Sequence, residues 1–256
     1  MRERPPPRPD LIGPAGEPDG GGEEEAADPS KPPRATWRPI EAVPVFLIAT
    51  VATIVAGVPL AAVHHFCGGQ AVIETFVGEL AFGLAVLGWV RYVNHGPLAA
   101  LGLPRRPLMD IGAGLVTGIL LILAGSLALL VVRSLVSLVI GHEPSTPQQV
   151  VSCVRGSALG LLGPVVVVVA PFGEELFFRG FLYKGLRRRR SIPVSVLISS
   201  VAFGLVHVYP LLILPLAIVG AGLALVYERR QSLLASMIAH ATFNLLGFIT
   251  ILMSRT

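Results

Sequence analysis

Charged residues are scarce in this sequence. Asp, Glu, Lys and Arg make up 14% of the 256 residues, whereas they make up about 25% of an ordinary globular protein. Hydrophobic residues reach 53%, and a soluble chain of this length needs a larger polar shell than the remaining residues provide. The shortage of charge therefore argues against a soluble enzyme and a disordered protein, and it predicts a multi-pass membrane protein.

Cysteine and several common catalytic signatures are also rare or absent. Two cysteines without a CxxC pattern argue against a cysteine-based zinc site and a disulfide scaffold. Cys67 and Cys153 fall in predicted outer loops, where we expect two separate thiols and a disulfide is the alternative. The HExxH, GxSxG, GxGD and Walker A patterns are missing, so nothing supports a zincin-type, aspartyl or P-loop enzyme.

The few charges are distributed unevenly along the chain. Residues 1–41 hold 9 of the 16 acidic residues and 6 of the 20 basic ones, together with ten prolines. This composition predicts a disordered cytoplasmic tail, because it cannot bury enough apolar surface to offset its ordering entropy. The rest of the chain is basic, which membrane topology explains without any nucleic-acid partner.

Seven apolar runs predict an all-α, polytopic bundle of transmembrane helices, because only helices satisfy their backbone groups within lipid. The runs cover about 43–63, 73–93, 109–132 with an extension to 140, 158–183, 192–208, 211–227 and 233–253. The third run is predicted to be a single helix despite its length. A split would break the alternation of basic and non-basic loops.

Arginine and lysine concentrate in alternate loops, most densely at residues 184–190. The positive-inside rule then predicts an integral plasma-membrane protein with a cytoplasmic N-terminus and an external C-terminus. We divide the chain into a tail (1–41), N-terminal transmembrane helices (42–154) and a catalytic transmembrane domain (155–254). The lipid bilayer is the first predicted partner.

Ionisable residues inside the predicted helices are the candidates for function, because each is costly in lipid. In the C-terminal half they are Glu174, Glu175, Arg179, His207 and His240, joined by the amide of Asn244. At 1.5 Å per residue, Glu174, His207 and His240 lie roughly 20, 24 and 15 Å from the cytoplasmic edge. These depths predict one shared polar layer formed by three helices.

The spacing within this set makes two further predictions. Glu175 and Arg179 are four residues apart, so they share a helix face and can pair. Glu174 points about 100° away from Glu175 and is left without that partner. Glu74 and Glu79, near the outer end of the second run, are expected to snorkel or pair rather than to act in catalysis.

Three motifs on these helices carry a family resemblance. They are EExxxR at Glu174–Arg179, FxxxH at Phe203–His207 and HxxxN at His240–Asn244. Their order resembles the CPBP family of intramembrane proteases, which includes glutamate-type CAAX prenyl proteases and the lysostaphin-resistance-like and bacteriocin-immunity (Abi) proteins. The resemblance covers roughly residues 155–250.

This resemblance implies an endopeptidase that hydrolyses a peptide bond of a membrane protein or peptide. It implies that Glu174 activates water with help from His207, and that His240 and Asn244 bind the oxyanion or a metal. Glu175 and Arg179 would be the supporting pair. A carboxylate, an imidazole and an amide are groups that can perform such steps.

Zinc or another divalent metal is compatible with the resemblance, with Glu174, His207 and His240 as its ligands. Two functions without proteolysis remain as alternatives. The same carboxylates and histidines could relay protons or bind an ion in a transporter. A family member could also act by binding alone, as an immunity or scaffold factor.

Overall fold

The computed structural model describes residues 33, 35–61, 68–104, 106–142, 144 and 154–254. Within these ranges the chain is helical and contains no strand, as the sequence predicts. The seven main helices are α1 (Ala42–Ala61), α2 (Gly69–Gly88), α3 (Pro107–Ile140), α4 (Gly156–Arg187), α5 (Ile192–Val206), α6 (Pro210–Arg230) and α7 (Leu233–Met253). Cys67 and Cys153 lie outside the described residues.

Five of these helices are long and apolar enough to cross a membrane: α2, which continues to Val93, and α3, α4, α6 and α7. The third apolar run forms one unbroken helix of 34 residues, as predicted. The apolar helix α5 is shorter than predicted, because it ends at Val206. Val208 follows with φ of 55°, a backbone conformation that a β-branched residue rarely adopts and that cannot continue the helix.

Helix α4 carries the EExxxR motif and is not a uniform α-helix. Two π-helical segments interrupt it, Val165–Val169 and Leu176–Tyr183. The second begins directly after Glu175 and is almost fully buried. A π-helical segment changes which side chains face inward, and such segments are frequent at functional sites. The local helix type thus sets the direction of the residues that follow the two glutamates.

Residues at the end of the predicted disordered tail are packed against the helices. Trp37 is fully buried. Its indole Nε1 donates to the Phe181 carbonyl over 2.8 Å, and its ring stacks on that of Phe181 with centroids 5.0 Å apart. Arg188 donates to the carbonyl oxygens of Thr36 and Trp37. Tryptophan can bury a large apolar area here because its single polar atom has a partner.

Glu41 joins this segment to α2. Its Oε2 accepts hydrogen bonds from Trp89 Nε1 at 2.8 Å and Asn94 Nδ2 at 2.7 Å, and its Oε1 accepts one from the Arg38 backbone. Burial raises the pKa of this carboxyl, but the hydrogen bonds outweigh burial and hold the pKa below its usual range. The start of α1 is therefore attached to α2 by an ionised side chain.

Helix α3 positions α7 through close contacts at glycine. A Cβ added at Gly118 would lie 2.6 Å from the Ala239 carbonyl oxygen and 2.5 Å from Thr242 Cβ. Gly114 meets Ala235 and Ile238 in the same way, one turn earlier. Small residues let membrane helices approach this closely. The contact places His240, the neighbour of Ala239, at a fixed depth in the bundle.

We expect Gly118→Leu to separate α3 from α7 and to destabilise the protein, because the new side chain would clash with the Ala239 carbonyl and with Thr242 Cβ. Overpacking of a tight core typically costs about 1–3 kcal/mol. The loss is measured as a lowered unfolding midpoint in detergent. Gly112→Leu is the control, since a Cβ at Gly112 meets nothing within 4 Å. Equal midpoints for the two variants would contradict the contact.

Candidate active site

A buried ion pair lies at the centre of the candidate site. Arg179 Nη1 donates to Glu175 Oε1 over 2.7 Å, and both side chains are fully buried. The pair predicted from the four-residue spacing is therefore present. Arg179 Nη2 also donates to the Gly220 carbonyl of α6 at 3.0 Å. The guanidinium thus connects α4 to α6 and compensates the charge of Glu175 within the bundle.

His240 of α7 lies between the two glutamates of α4. Its Nδ1 is 2.9 Å from Glu175 Oε1, and its Nε2 is 3.9 Å from Glu174 Oε2. Because an ionised carboxylate only accepts, Nδ1 is assigned as the donor to Glu175. This hydrogen bond orients the ring and leaves Nε2 facing Glu174.

The ring of Phe203 forms a platform for three polar side chains. Its centroid lies 5.0 Å from the ring of His207 and 5.6 Å from the ring of His240. The Arg179 guanidinium carbon lies 4.6 Å above the same ring, a favourable cation–π geometry. The phenylalanine of the FxxxH motif therefore packs between the groups contributed by α4, α5 and α7.

A cavity of about 370 Å³ opens beside Glu174, a volume within the range of small-ligand sites. Its polar side chains are contributed by Glu79, Glu174, His207, Thr50 and Thr53. The remaining wall is apolar and consists of Phe46, Ile54, Phe82, Phe178, Val206 and Val208. Glu174 Oε2 is buried and accepts no hydrogen bond from the residues that the structure describes. The cavity therefore joins the unpaired carboxylate to an apolar space between α1, α2, α4 and α5.

His207 borders this cavity at the end of α5. Its Nδ1 lies 2.7 Å from the Phe203 carbonyl oxygen, which only accepts, so Nδ1 carries the proton in this arrangement. The Nε2 atom of a neutral ring is then an acceptor. The next residue, Val208, has the left-handed conformation noted above. Strained residues of this kind cluster at functional sites.

The Asn244 side chain is hydrogen-bonded to the backbone of α4. It lies one turn after His240 on α7, and its Nδ2 donates to the Val166 carbonyl over 2.7 Å. Val166 belongs to the first π-helical segment of α4. The amide therefore holds α7 against α4 by a hydrogen bond, a role that the motif spacing alone did not reveal.

Glu79 of α2 is the residue that the sequence analysis missed. It lines the same cavity as Glu174, and its Oε2 is buried without a hydrogen-bond partner among the described residues, so the expected pair is not found among them. Its depth was the available signal. Glu79 lies 12 residues before Arg91, roughly 18 Å along the helix from this basic end, which is close to the distance predicted for Glu174 from its own basic end. Glu74, by contrast, accepts a hydrogen bond from Gln70.

The described residues do not assemble the metal site that the resemblance allows. Among them, no three His, Cys, Asp or Glu side chains are close enough to hold one metal ion. Glu174 Oε2 and His240 Nε2 are 3.9 Å apart, while His207 and Glu174 line the same cavity. A protein zinc site ordinarily needs at least three such ligands. As they lie here, Glu174, His207 and His240 do not form a three-ligand metal site.

Comparisons with known proteins agree with the C-terminal half of this description. Residues 156–246 match the family described as "Type II CAAX prenyl endopeptidase Rce1-like". "UPF0177 protein YxdF" of Lactococcus lactis subsp. lactis (strain IL1403) is 33% identical over 84 residues, which are 32% of this chain and 46% of that protein. "Putative membrane peptidase YdiL" of Bacillus subtilis (strain 168) is 29% identical over 105 residues, which are 41% and 42% of the two chains.

The chain thus spans less than half the length of the curated relatives that it matches. No solved structure matches the chain. All six predicted site residues, from Glu174 to Asn244, lie within the matched range of 156–246. With its bundle of helices long and apolar enough to cross a membrane, the chain is a multi-pass membrane protein, and its residues 156–246 are similar to the type II CAAX prenyl endopeptidases of the CPBP family.

Proposed function

We propose that this protein is an intramembrane endopeptidase that hydrolyses a peptide bond with a water molecule activated by Glu174. The observation that carries the proposal is the Glu174 carboxylate, which borders an apolar cavity and has a buried oxygen without a hydrogen bond. The family match and the relative described as a membrane peptidase support the same reaction class.

Glu174 has the properties expected of the general base. Its neighbour Glu175 is engaged by Arg179 and His240, so Glu174 is the member of the pair that is free to accept a proton. A carboxylate that reaches a bound water molecule can remove its proton, and this step generates the attacking hydroxide.

The two histidines would act on opposite sides of the reacting carbonyl. His240 is oriented by Glu175, and its Nε2 lies next to Glu174. His207 is oriented by the Phe203 carbonyl and lines the cavity. Protonated on Nε2, either ring could stabilise the oxyanion that forms when hydroxide attacks the carbonyl carbon. The Asn244 amide would contribute by holding α7 in place.

The chemistry of the cavity supports a membrane-embedded polypeptide as the substrate. Six of its eleven lining residues are apolar, and the wall formed by α1 contains only Phe46, Thr50, Thr53 and Ile54. Both threonine hydroxyls donate to carbonyl oxygens of their own helix, so their donors are satisfied without a hydrogen bond to the substrate. An apolar side chain next to the cleaved bond would fit this wall.

Comparative proteomics of membranes tests the proposal. Cells that express the wild type should contain at least one cleaved membrane peptide that is missing from cells expressing Glu174→Gln. Glu74→Gln is the matched control, because it removes a carboxylate that is hydrogen-bonded outside the cavity. Cleavage that persists in Glu174→Gln would refute the mechanism. Proton- or ion-coupled uptake into vesicles without any cleavage would instead favour a transporter.

A further inference from the structure

Glu79 is a third acidic side chain at the candidate site, contributed by a helix outside the residues that match the family. Helix α2 approaches α4 very closely at Gly173, where an added Cβ would overlap the Glu79 carbonyl oxygen. The same position lies 3.3 Å from Glu79 Oε2. The Glu79 carboxyl group is therefore placed against the backbone that immediately precedes Glu174.

The Glu79 and Glu174 carboxyl groups share one environment. They line the same cavity, they interact electrostatically, and each has a buried Oε2 without a hydrogen bond. Two adjacent carboxylates in a medium of low dielectric constant cannot both be ionised at low cost. This arrangement therefore needs one additional positive charge or one proton.

The charged groups that face Glu79 do not supply that positive charge. In the described parts of the surrounding helices, the ionisable groups are Glu174, Glu175 and Arg179 of α4, His207 at the end of α5, and His240 of α7. The described residues that α1 contributes to the cavity carry no charge; they are Phe46, Thr50, Thr53 and Ile54. The single guanidinium is hydrogen-bonded to Glu175. Three acidic groups thus face one arginine and two imidazoles, so a proton is the simplest compensation.

The proton is better placed on Glu79 than on Glu174. Glu174 interacts with the positive charge of Arg179 on the same helix. Glu79 is influenced by burial and by the negative charge of Glu174. An asymmetric pair of carboxyl groups can divide the roles of acid and base.

We propose that Glu79 is a further catalytic residue, a carboxylic acid that shares one proton with Glu174 and donates it to the leaving amine. The pairing does not depend on peptidase activity, whereas the donation rests on the proposed function. No motif of the C-terminal helices identifies this residue, because α2 contributes it from about 95 positions earlier in the chain.

Hydrolysis begins when Glu174 takes a proton from water, and the resulting hydroxide forms a bond to the peptide carbonyl carbon. When the tetrahedral intermediate collapses, the C–N bond breaks and Glu79 transfers its proton to the departing nitrogen. The proton held by Glu174 then returns to Glu79, which restores the starting pair. Water and a peptide bond are consumed, and a carboxyl and an amino product are formed.

Infrared difference spectroscopy of the full chain in lipid vesicles tests the shared proton without a substrate. We expect the wild type to show a carboxylic-acid C=O band that is lost in Glu79→Gln and in Glu79→Met. Glu74→Gln should keep the band. A spectrum that is unchanged in both Glu79 variants would overturn the proposal, and the amide bands of the same spectra verify that the helices are intact.

Leaving-group dependence tests the donation. The probe is the peptide identified by proteomics, made with its cleaved amide and, in a second version, with a thioester at that bond. A thiolate leaves without protonation because its pKa is near 8.5, so Glu79→Gln should lose amide cleavage by about 10²–10⁴-fold and retain thioester cleavage. Glu174→Gln should lose both.

The outcomes separate the two proposals. Equal losses on amide and thioester in Glu79→Gln would reduce Glu79 to a structural role and overturn the donation. Unchanged amide cleavage in this variant would also overturn it. A wild type that cleaves neither probe would refute the proposed peptidase function, while the infrared band would still decide whether the carboxyl pair holds a proton.

Discussion

Replacing Arg179 by methionine is expected to lower the free energy of unfolding by about 3–5 kcal/mol, the usual loss when one partner of a buried ion pair is removed. The variant leaves the Glu175 charge fully buried without its arginine partner. It also removes the donor to the Gly220 carbonyl and the cation above Phe203. Unfolding in mixed micelles, followed by loss of helical circular dichroism, measures the change.

Two further variants isolate the charge effect. Arg187→Met removes an arginine from the same helix, but its pair with Glu228 is partly exposed and longer, at 3.3 Å, so a loss of about 1 kcal/mol or less is expected. Combining Arg179→Met with Glu175→Gln removes both buried charges and should recover part of the stability. A double variant as unstable as the sum of its single variants would contradict this account.

The Glu175–Arg179 ion pair matters for the candidate site because Glu175 also contacts His240. Glu175 Oε1 accepts hydrogen bonds from both Arg179 and His240. A carboxylate that orients the histidine beside the general base must itself be held in one place, and the guanidinium does this from the same helix. Side chains that hold a catalytic residue in place, as Glu175 and Arg179 hold His240, determine how precisely that residue is positioned. Stability and activity are therefore coupled at Glu175.

Hydrophobic runs determined most of the fold in advance. Each of the seven predicted runs corresponds to one helix, because a stretch of about 20 apolar residues in lipid has only one low-energy backbone solution. The end of α5 was less predictable, since it depends on the left-handed conformation of Val208. The packing of Trp37 was also missed, because the proline-rich composition of residues 1–39 obscured one aromatic residue with a distant partner at Phe181.

The candidate site was predictable where its contacts lie within one helix. The spacing of Glu175 and Arg179 was sufficient to predict their pairing. Contacts between helices depend on rotation and close approach, which no periodicity encodes. Gly173 lets the backbones of α2 and α4 approach each other beside Glu79, and the Asn244 amide donates to Val166 in the first π-helical segment of α4. Only the depth of Glu79 in its helix pointed to the shared layer.

His240→Asn is expected to reduce the cleavage rate by about 10²–10³-fold, the usual effect of losing one group that stabilises developing charge, while most of the stability is retained. Asparagine can place an amide nitrogen near the position of Nδ1, so the hydrogen bond to Glu175 can persist. It has no counterpart of Nε2, which faces Glu174 at 3.9 Å. The variant therefore removes the nitrogen that faces Glu174 but keeps the hydrogen bond between α7 and Glu175.

The measurement pairs initial rates on the identified peptide with unfolding midpoints in the same detergent. His95→Asn is the control, because His95 is exposed in a loop with φ of 50°, a conformation that asparagine tolerates. This control should match the wild type in both measurements. If His240→Asn loses rate and stability together, His240 serves mainly to hold α7 against α4. If its rate stays within about tenfold of the wild type, Nε2 does not act on the developing charge.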